Sequence, residues 1–164
     1  KDLDFDLNKF EGTWKYTNGI NSFTIKLKKI EKYYNDEYYV DLLIGSYKYI
    51  KNGVVIVDFL DRLDNPLITP YYQYISGSTI LYKGMRPTCL NCEQLEKRIA
   101  LDFEDPDPAR EHITFLGRMV LRYKNTTGVD QLECKIFING NPIQPDNSPD
   151  DFRVPQGDYI LTKQ

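Results

Sequence analysis

The sequence has no apolar run near the ~20 residues that a membrane-crossing helix needs; the longest, around residues 54–57, is strand-sized. It has one histidine, one tryptophan and three cysteines. His112 is therefore the only imidazole available as a general base, and no Gly-x-Ser-x-Gly supplies a nucleophile for it to activate. No catalytic constellation is visible, which excludes an enzyme as the expected class. Positive charge is not in excess either: 21 Lys and Arg stand against 24 Asp and Glu, net -3. Without a basic stripe to neutralise phosphates, nucleic acid is not an expected partner. Long helical periods and internal repeats are missing as well.

What the sequence does have is aromatic residues, with 13 tyrosines and 8 phenylalanines, types that favour pleated, half-buried strands. A chain of 164 residues suits one domain, here 1–164, and buries roughly 70% of its unfolded surface, enough to fold without disulfides. It begins at Lys1 with neither Met nor leader. A mature form trimmed of its signal peptide looks like this, and so does a cytosolic fragment.

Leu3, Leu7 and Phe10 fall on one helical face, and Gly12 ends that pattern, which predicts a short helix or turn before the first strand. From Gly12 onward the period is two. Trp14 and Tyr16 share a face; Phe23, Ile25 and Leu27 alternate with Thr24, Lys26 and Lys28; a third run covers 38–50, with Gly45 expected to mark a bend or bulge. Asn52-Gly53 is a strong hairpin signal. Ser76-Gly77 is read as dividing two strands, 72–75 and 79–82, and Asn139-Gly140 as ending the run 132–138. Ile99, Leu101 and Phe103 alternate, as do Ile113, Phe115, Met119, Leu121 and Tyr123, and 159–162 closes the chain. Proline, Asp and Asn make loops of 61–70, 105–110 and 141–155, and Asn91 to Gln94 could cap a short helix through Ile99. About nine or ten short strands joined by tight turns predict an all-β fold, an antiparallel barrel with a two-sheet sandwich as the alternative.

Lys9-Phe-Glu-Gly-Thr-Trp-Lys15 resembles the opening of calycins, the superfamily of lipocalins and fatty-acid-binding proteins. There a helical turn precedes a Gly-x-Trp motif, and the Trp plugs the closed end of the barrel. The resemblance implies a calycin-like barrel with Gly12 and Trp14 in structural roles, and a basic residue, Arg122 or Lys163, packed over the ring. More closely, the chain resembles a family of uncharacterised, calycin-like exported proteins from Bacteroidetes. That resemblance rests on Phe10-Glu-Gly-Thr-Trp-Lys-Tyr16, on Asp41-Leu-Leu-Ile-Gly-Ser-Tyr-Lys-Tyr49 with Asn52-Gly53, and on Leu161-Thr-Lys163. It implies export to the periplasm, to an outer-membrane anchor as a lipoprotein, or to the medium.

Cys89, Cys92, Cys134 and His112 offer the residue types of a Cys₃His zinc site, whose ligands converge at ~2.0–2.3 Å. Cys134 sits on an apolar alternating face, so a buried thiol there and a local Cys89–Cys92 disulfide are expected, with no metal and no cofactor. Asp105, Asp107, Asp146, Asp150 and Asp151 could serve a hard cation, but they lack EF-hand spacing and are expected as solvated turn carboxylates. Asn125-Thr126-Thr127 forms a glycosylation sequon. Tyr33, Tyr34, Tyr38, Tyr39, Tyr71, Tyr72 and Tyr74 fall in two groups that could line a cavity or a sugar-binding surface, although core and surface packing accounts for most of them.

Two functions follow from this fold. The first is a monomeric barrel holding a small apolar or amphipathic ligand, entering opposite Trp14. The second is a cell-envelope interaction module with a filled barrel and no ligand, whose outer loops meet a protein partner. Inward faces rich in Phe, Tyr, Leu and Ile tilt toward filling.

Overall fold

The structure, a computed structural model, describes residues 6–65, 67–107, 110–138 and 151–164, and leaves aside the side chains of 71, 107, 110–115 and 126. Nine strands are present among the described residues: β1 (Gly12–Asn18), β2 (Asn21–Tyr34), β3 (Tyr39–Lys51), β4 (Val54–Asp58), β5 (Ile75–Leu81), β6 (Arg98–Asp107), β7 (Arg110–Thr126), β8 (Val129–Ile138) and β9 (Gly157–Lys163). They pair antiparallel in the order β2-β1-β9-β8-β7-β6-β5-β3, and β2–β3 pairing closes the ring into an eight-stranded barrel. Strand β4 lies outside the ring, folded back on β3. Short 3₁₀ turns at Asn8–Phe10, Leu60–Asp64 and Pro70–Tyr72 are the only helical elements among the described residues.

Period-two alternation places the apolar residues inside. Trp14, Phe23, Ile25, Leu43, Tyr47, Leu101, Phe103, Met119 and Leu121 are all buried in one core. Before β1 the expected turn is a single 3₁₀ turn carrying buried Phe10, and Gly12 adopts φ +117°, a region that side-chain-bearing residues avoid. Asn52 and Gly53 both take positive φ, as a two-residue hairpin requires.

Several local expectations are corrected. Gly45 lies in uninterrupted register, paired with Leu27 and Ile75; the irregularity in β2–β3 falls between Ile30 and Tyr33, where Lys32 has φ +53°. Gly45 is needed for another reason. A Cβ there would lie 2.6 Å from Leu27 Cδ2 and 2.8 Å from the Lys26 carbonyl. Ser76-Gly77 does not separate two strands: it is a bulge within β5, with Gly77 at φ +150°. Tyr72 belongs to a 3₁₀ turn, and part of the expected 61–70 loop is the 3₁₀ turn Leu60–Asp64. No helix follows Asn91; residues 91–97 form turns, and β6 starts at Arg98. Asp105 is a strand residue rather than a loop residue, because β6 continues through Pro106 to Asp107. Most of the expected 141–155 loop, and Leu3, lie outside the described residues.

Candidate functional site

Three places in the barrel carry polar or aromatic chemistry: the Trp14 end, the opposite end, and the outer wall of β5–β8.

At the first, Trp14 is fully buried and its Nε1–H donates to the Phe10 carbonyl at 2.8 Å. Tyr123 packs edge-on at 6.5 Å between ring centroids, and the Lys163 ammonium lies 5.2 Å from the indole centroid. Lys163, not Arg122, is therefore the basic residue over the ring. Parity along the strand decides this. Lys163 continues the inward series Tyr159, Leu161, whereas Arg122 falls between inward Leu121 and Tyr123 and so points outward.

Between the ends, the lumen is crossed by a continuous series of ring contacts. Tyr16 meets Tyr159 at 5.1 Å, Tyr159 meets Phe23 at 5.2 Å, Phe23 meets Tyr47 at 6.3 Å, Tyr47 meets Phe103 at 4.9 Å, and Phe103 meets Phe152 at 5.3 Å. Phe152 fills the space over Gly117, where a Cβ would come within 2.3 Å of its ring.

Phe152 is followed by the polar group that fastens it. Asp105, only 1% exposed, accepts from the Tyr47 hydroxyl at 2.8 Å, the Arg153 backbone N–H at 2.6 Å and the Arg153 Nε at 2.9 Å. Arg153 Nη2 also donates to Asp105 and, at 2.8 Å, to the Pro106 carbonyl. Burial, together with the adjacent Asp105 carboxylate, pushes the Tyr47 phenol far above its ordinary range, so it serves as a fixed donor. The expectation of a solvated carboxylate thus fails at Asp105. Asp151 does behave as a turn carboxylate, accepting from the Phe152 N–H at 2.8 Å and the Gln156 amide at 3.0 Å. Asp146 and Asp150, and the side chains of Asp107 and His112, lie outside the described residues.

The third place is the outer wall, across which residues 82–97 run as a strap. Cys89 and Cys92 are joined within it by a disulfide with a Cα separation of 5.4 Å, while Cys134 is a free, buried thiol whose burial raises its pKa. No group of three His, Cys, Asp or Glu that could hold a metal exists among the described residues. Two outward arginines hold the strap down. Arg98 donates to the carbonyls of Pro87 at 2.6 Å, Tyr82 at 2.9 Å and Met85 at 3.0 Å. Arg122 grips the Glu96 carboxylate with two bonds, at 2.7 and 2.8 Å, and also reaches Glu133 at 3.0 Å and the Asn91 carbonyl at 2.8 Å.

Hydrogen bonds from Arg122 hold the Glu96 carboxyl down to about 2, against an ordinary 4.5. A carboxyl depressed in the fold stabilises it above the ordinary value, and that stabilisation is lost as pH falls from 4.5 toward 2. Glu96→Gln should therefore flatten the acid limb of the stability profile by about 1–2 kcal/mol after allowance for screening. Urea midpoints of both proteins at several pH values across that window check this; superimposable profiles contradict it.

Beneath the strap lie two clefts that meet at Pro87 and Thr88. One, about 370 Å³, is lined by Arg98 and by two ion pairs, Arg122 with Glu133 and Lys135 with Asp158 at 3.2 Å. The other, about 540 Å³, has a floor of Leu81, Ala100, Val120 and Phe137 and is lined by Arg86 and Arg118, with no carboxylate among the described residues. The tyrosine groups line neither cleft. Tyr34, Tyr38, Tyr39 and Tyr72 are exposed, Tyr33 packs against Leu42, Ile44 and Leu63, Tyr74 packs at a tilt against Phe59 at 4.6 Å, and the side chain of Tyr71 lies outside the described residues. Asn125 of the sequon is exposed and donates to Asp130 at 2.7 Å.

Sequence reasoning missed Arg86, Arg98 and Arg118, and it took Asp105 for a solvated carboxylate. For Arg98 and Arg118, which lie on strands, the usable signal was parity. Arg98, Ala100, Val120 and Phe137 all fall on the outward register, so an apolar patch on an outward face announces that something covers it or docks there.

No helix is long and apolar enough to cross a membrane among the described residues. No curated protein and no solved structure matches the chain. One family model does, over residues 1–164, and the chain accordingly belongs to the family of unknown function DUF6705.

Proposed function

We propose that this chain is a non-catalytic, exported recognition module. Its barrel serves as a filled scaffold, and recognition takes place on the outer wall rather than in the lumen. One observation carries the proposal: the lumen is occupied from Tyr16 to Phe152 by contacting rings, while both clefts described above open on the outside. A barrel of eight strands either fills with side chains or holds one small molecule, and large inward residues favour the first. The Gly-x-Trp opening, the preceding 3₁₀ turn and Lys163 over the indole support kinship with calycins. The Cys89–Cys92 disulfide supports an oxidising compartment, and with it export.

The two methionines make a direct test, since Met119 is fully buried in the lumen whereas Met85 is exposed in the strap. Methyl-labelled protein titrated with fatty acids and retinoid-like molecules should show an unmoved Met119 resonance. A saturable Met119 shift would restore the lumen as the ligand site.

A further inference from the structure

We infer that the larger outer-wall cleft is a binding site for amphipathic monocarboxylates, whose apolar body lies on the strand wall and whose carboxylate meets Arg86 and Arg118. This deepens the reading of the barrel as a scaffold that recognises on its outside, and rests on it.

The floor is prepared for an apolar body. Leu81, Ala100 and Val120 form a buried cluster on the outward register of β5, β6 and β7, with Phe137 of β8 packed against it. They are 4–6% exposed although they point away from the core, because the strap covers part of the wall. A volume of about 540 Å³ is in the range of small-molecule sites.

The charges specify what lies at the other end of such a molecule. Arg86 is exposed and has no hydrogen bond or ion pair among the described residues. Arg118 has only a loose contact, its Nε 3.6 Å from an Asp102 carboxylate that is itself 62% exposed. Arg98, which lines the smaller cleft, is 4% exposed and spends its hydrogen bonds on the backbone carbonyls that hold the strap. The neighbouring cleft differs in carrying carboxylates, since Glu133 and Asp158 lie beside its Arg122 and Lys135. A guanidinium presents paired N–H donors that match a carboxylate's two oxygens, so two of them beside an apolar floor select a carboxylate carried on an apolar chain.

Calorimetric titration of the intact, oxidised protein with decanoate, 1-decanol and acetate, run beside methyl NMR, tests the inference. Decanoate should bind saturably and shift Met85 while Met119 stays still. Decanol, lacking the charge, and acetate, lacking the body, should each bind weaker by on the order of tenfold or more. Arg86→Ala and Arg118→Gln should each weaken decanoate by on the order of tenfold. Arg86 is exposed and makes no hydrogen bond or ion pair among the described residues, so its variant should keep the fold. No decanoate binding, decanol binding as tightly as decanoate, or an Arg86→Ala variant that binds like the parent would each overturn the carboxylate site and leave the scaffold reading intact. A Met119 shift with decanoate would overturn both.

Discussion

Replacing Asp105 with alanine should destabilise the fold by about 3 kcal/mol, at the lower end of what breaking a buried charge pair costs. Asp105 is 1% exposed and gathers four donors from Tyr47 and Arg153. Without the carboxylate, the Arg153 backbone N–H loses its acceptor and the guanidinium keeps only the Pro106 carbonyl. Two features hold the cost below the upper bound. Arg153 is 21% exposed and can turn toward water, and Tyr47 retains the Glu104 carbonyl at 3.0 Å. The pair is separated by 48 positions in sequence and ties β6 to the segment that seats Phe152. Its loss should therefore loosen the barrel end opposite Trp14. Urea unfolding of Asp105→Ala, Arg153→Met and the double variant makes a thermodynamic cycle, and the double variant should cost clearly less than the sum of the singles. Strict additivity, or an Asp105→Ala protein within 1 kcal/mol or so of the parent, would show that the network is dispensable.

That network also marks where the sequence stops being legible. Alternation over two residues identifies the strands because each inward position is decided locally by whether its side chain is apolar. Gly12-Thr-Trp14 and Asn52-Gly53 are equally local: one needs a backbone without Cβ, the other two positive φ values in a row. Asp105-Pro106-Asp107 carries the composition of a loop, and only the pairing of Asp105 with Phe115 and of Pro106 with Thr114 keeps it in a strand. Gly77 misleads in the same way, since positive φ suits a bulge as well as a turn, and pairing with β3 and β6 decides between them. Arg122 is a candidate for the Trp14 ring by resemblance alone, and only residues 82–97 lying across the outer wall show what it and Arg98 hold. The candidate cleft belongs to this second category. Its floor comes from β5 through β8 and one of its arginines from the strap, so no local window contains it.

Truncating Trp14 to alanine should cost about 3–5 kcal/mol, the largest single effect expected in this chain, and lower Tm by on the order of 10 °C. The indole is the largest fully buried side chain. Its removal opens a cavity among Ile25, Lys163 and Tyr123, which face it from β2, β9 and β7. It also leaves the Phe10 carbonyl without its indole donor and uncovers the 3₁₀ turn whose buried Leu7 and Phe10 close this end. Trp14→Phe separates the contributions. It keeps most of the ring and loses the N–H, so it should cost only about 1–2 kcal/mol. Lys163→Ala removes the cation over the ring at a half-exposed site and should cost about 0.5–1 kcal/mol. Because Trp14 is the sole tryptophan, unfolding must be followed by circular dichroism rather than emission. A Trp14→Ala protein as stable as Trp14→Phe would mean that the barrel closes without the indole, and the proposed calycin kinship would lose the residue on which it chiefly rests.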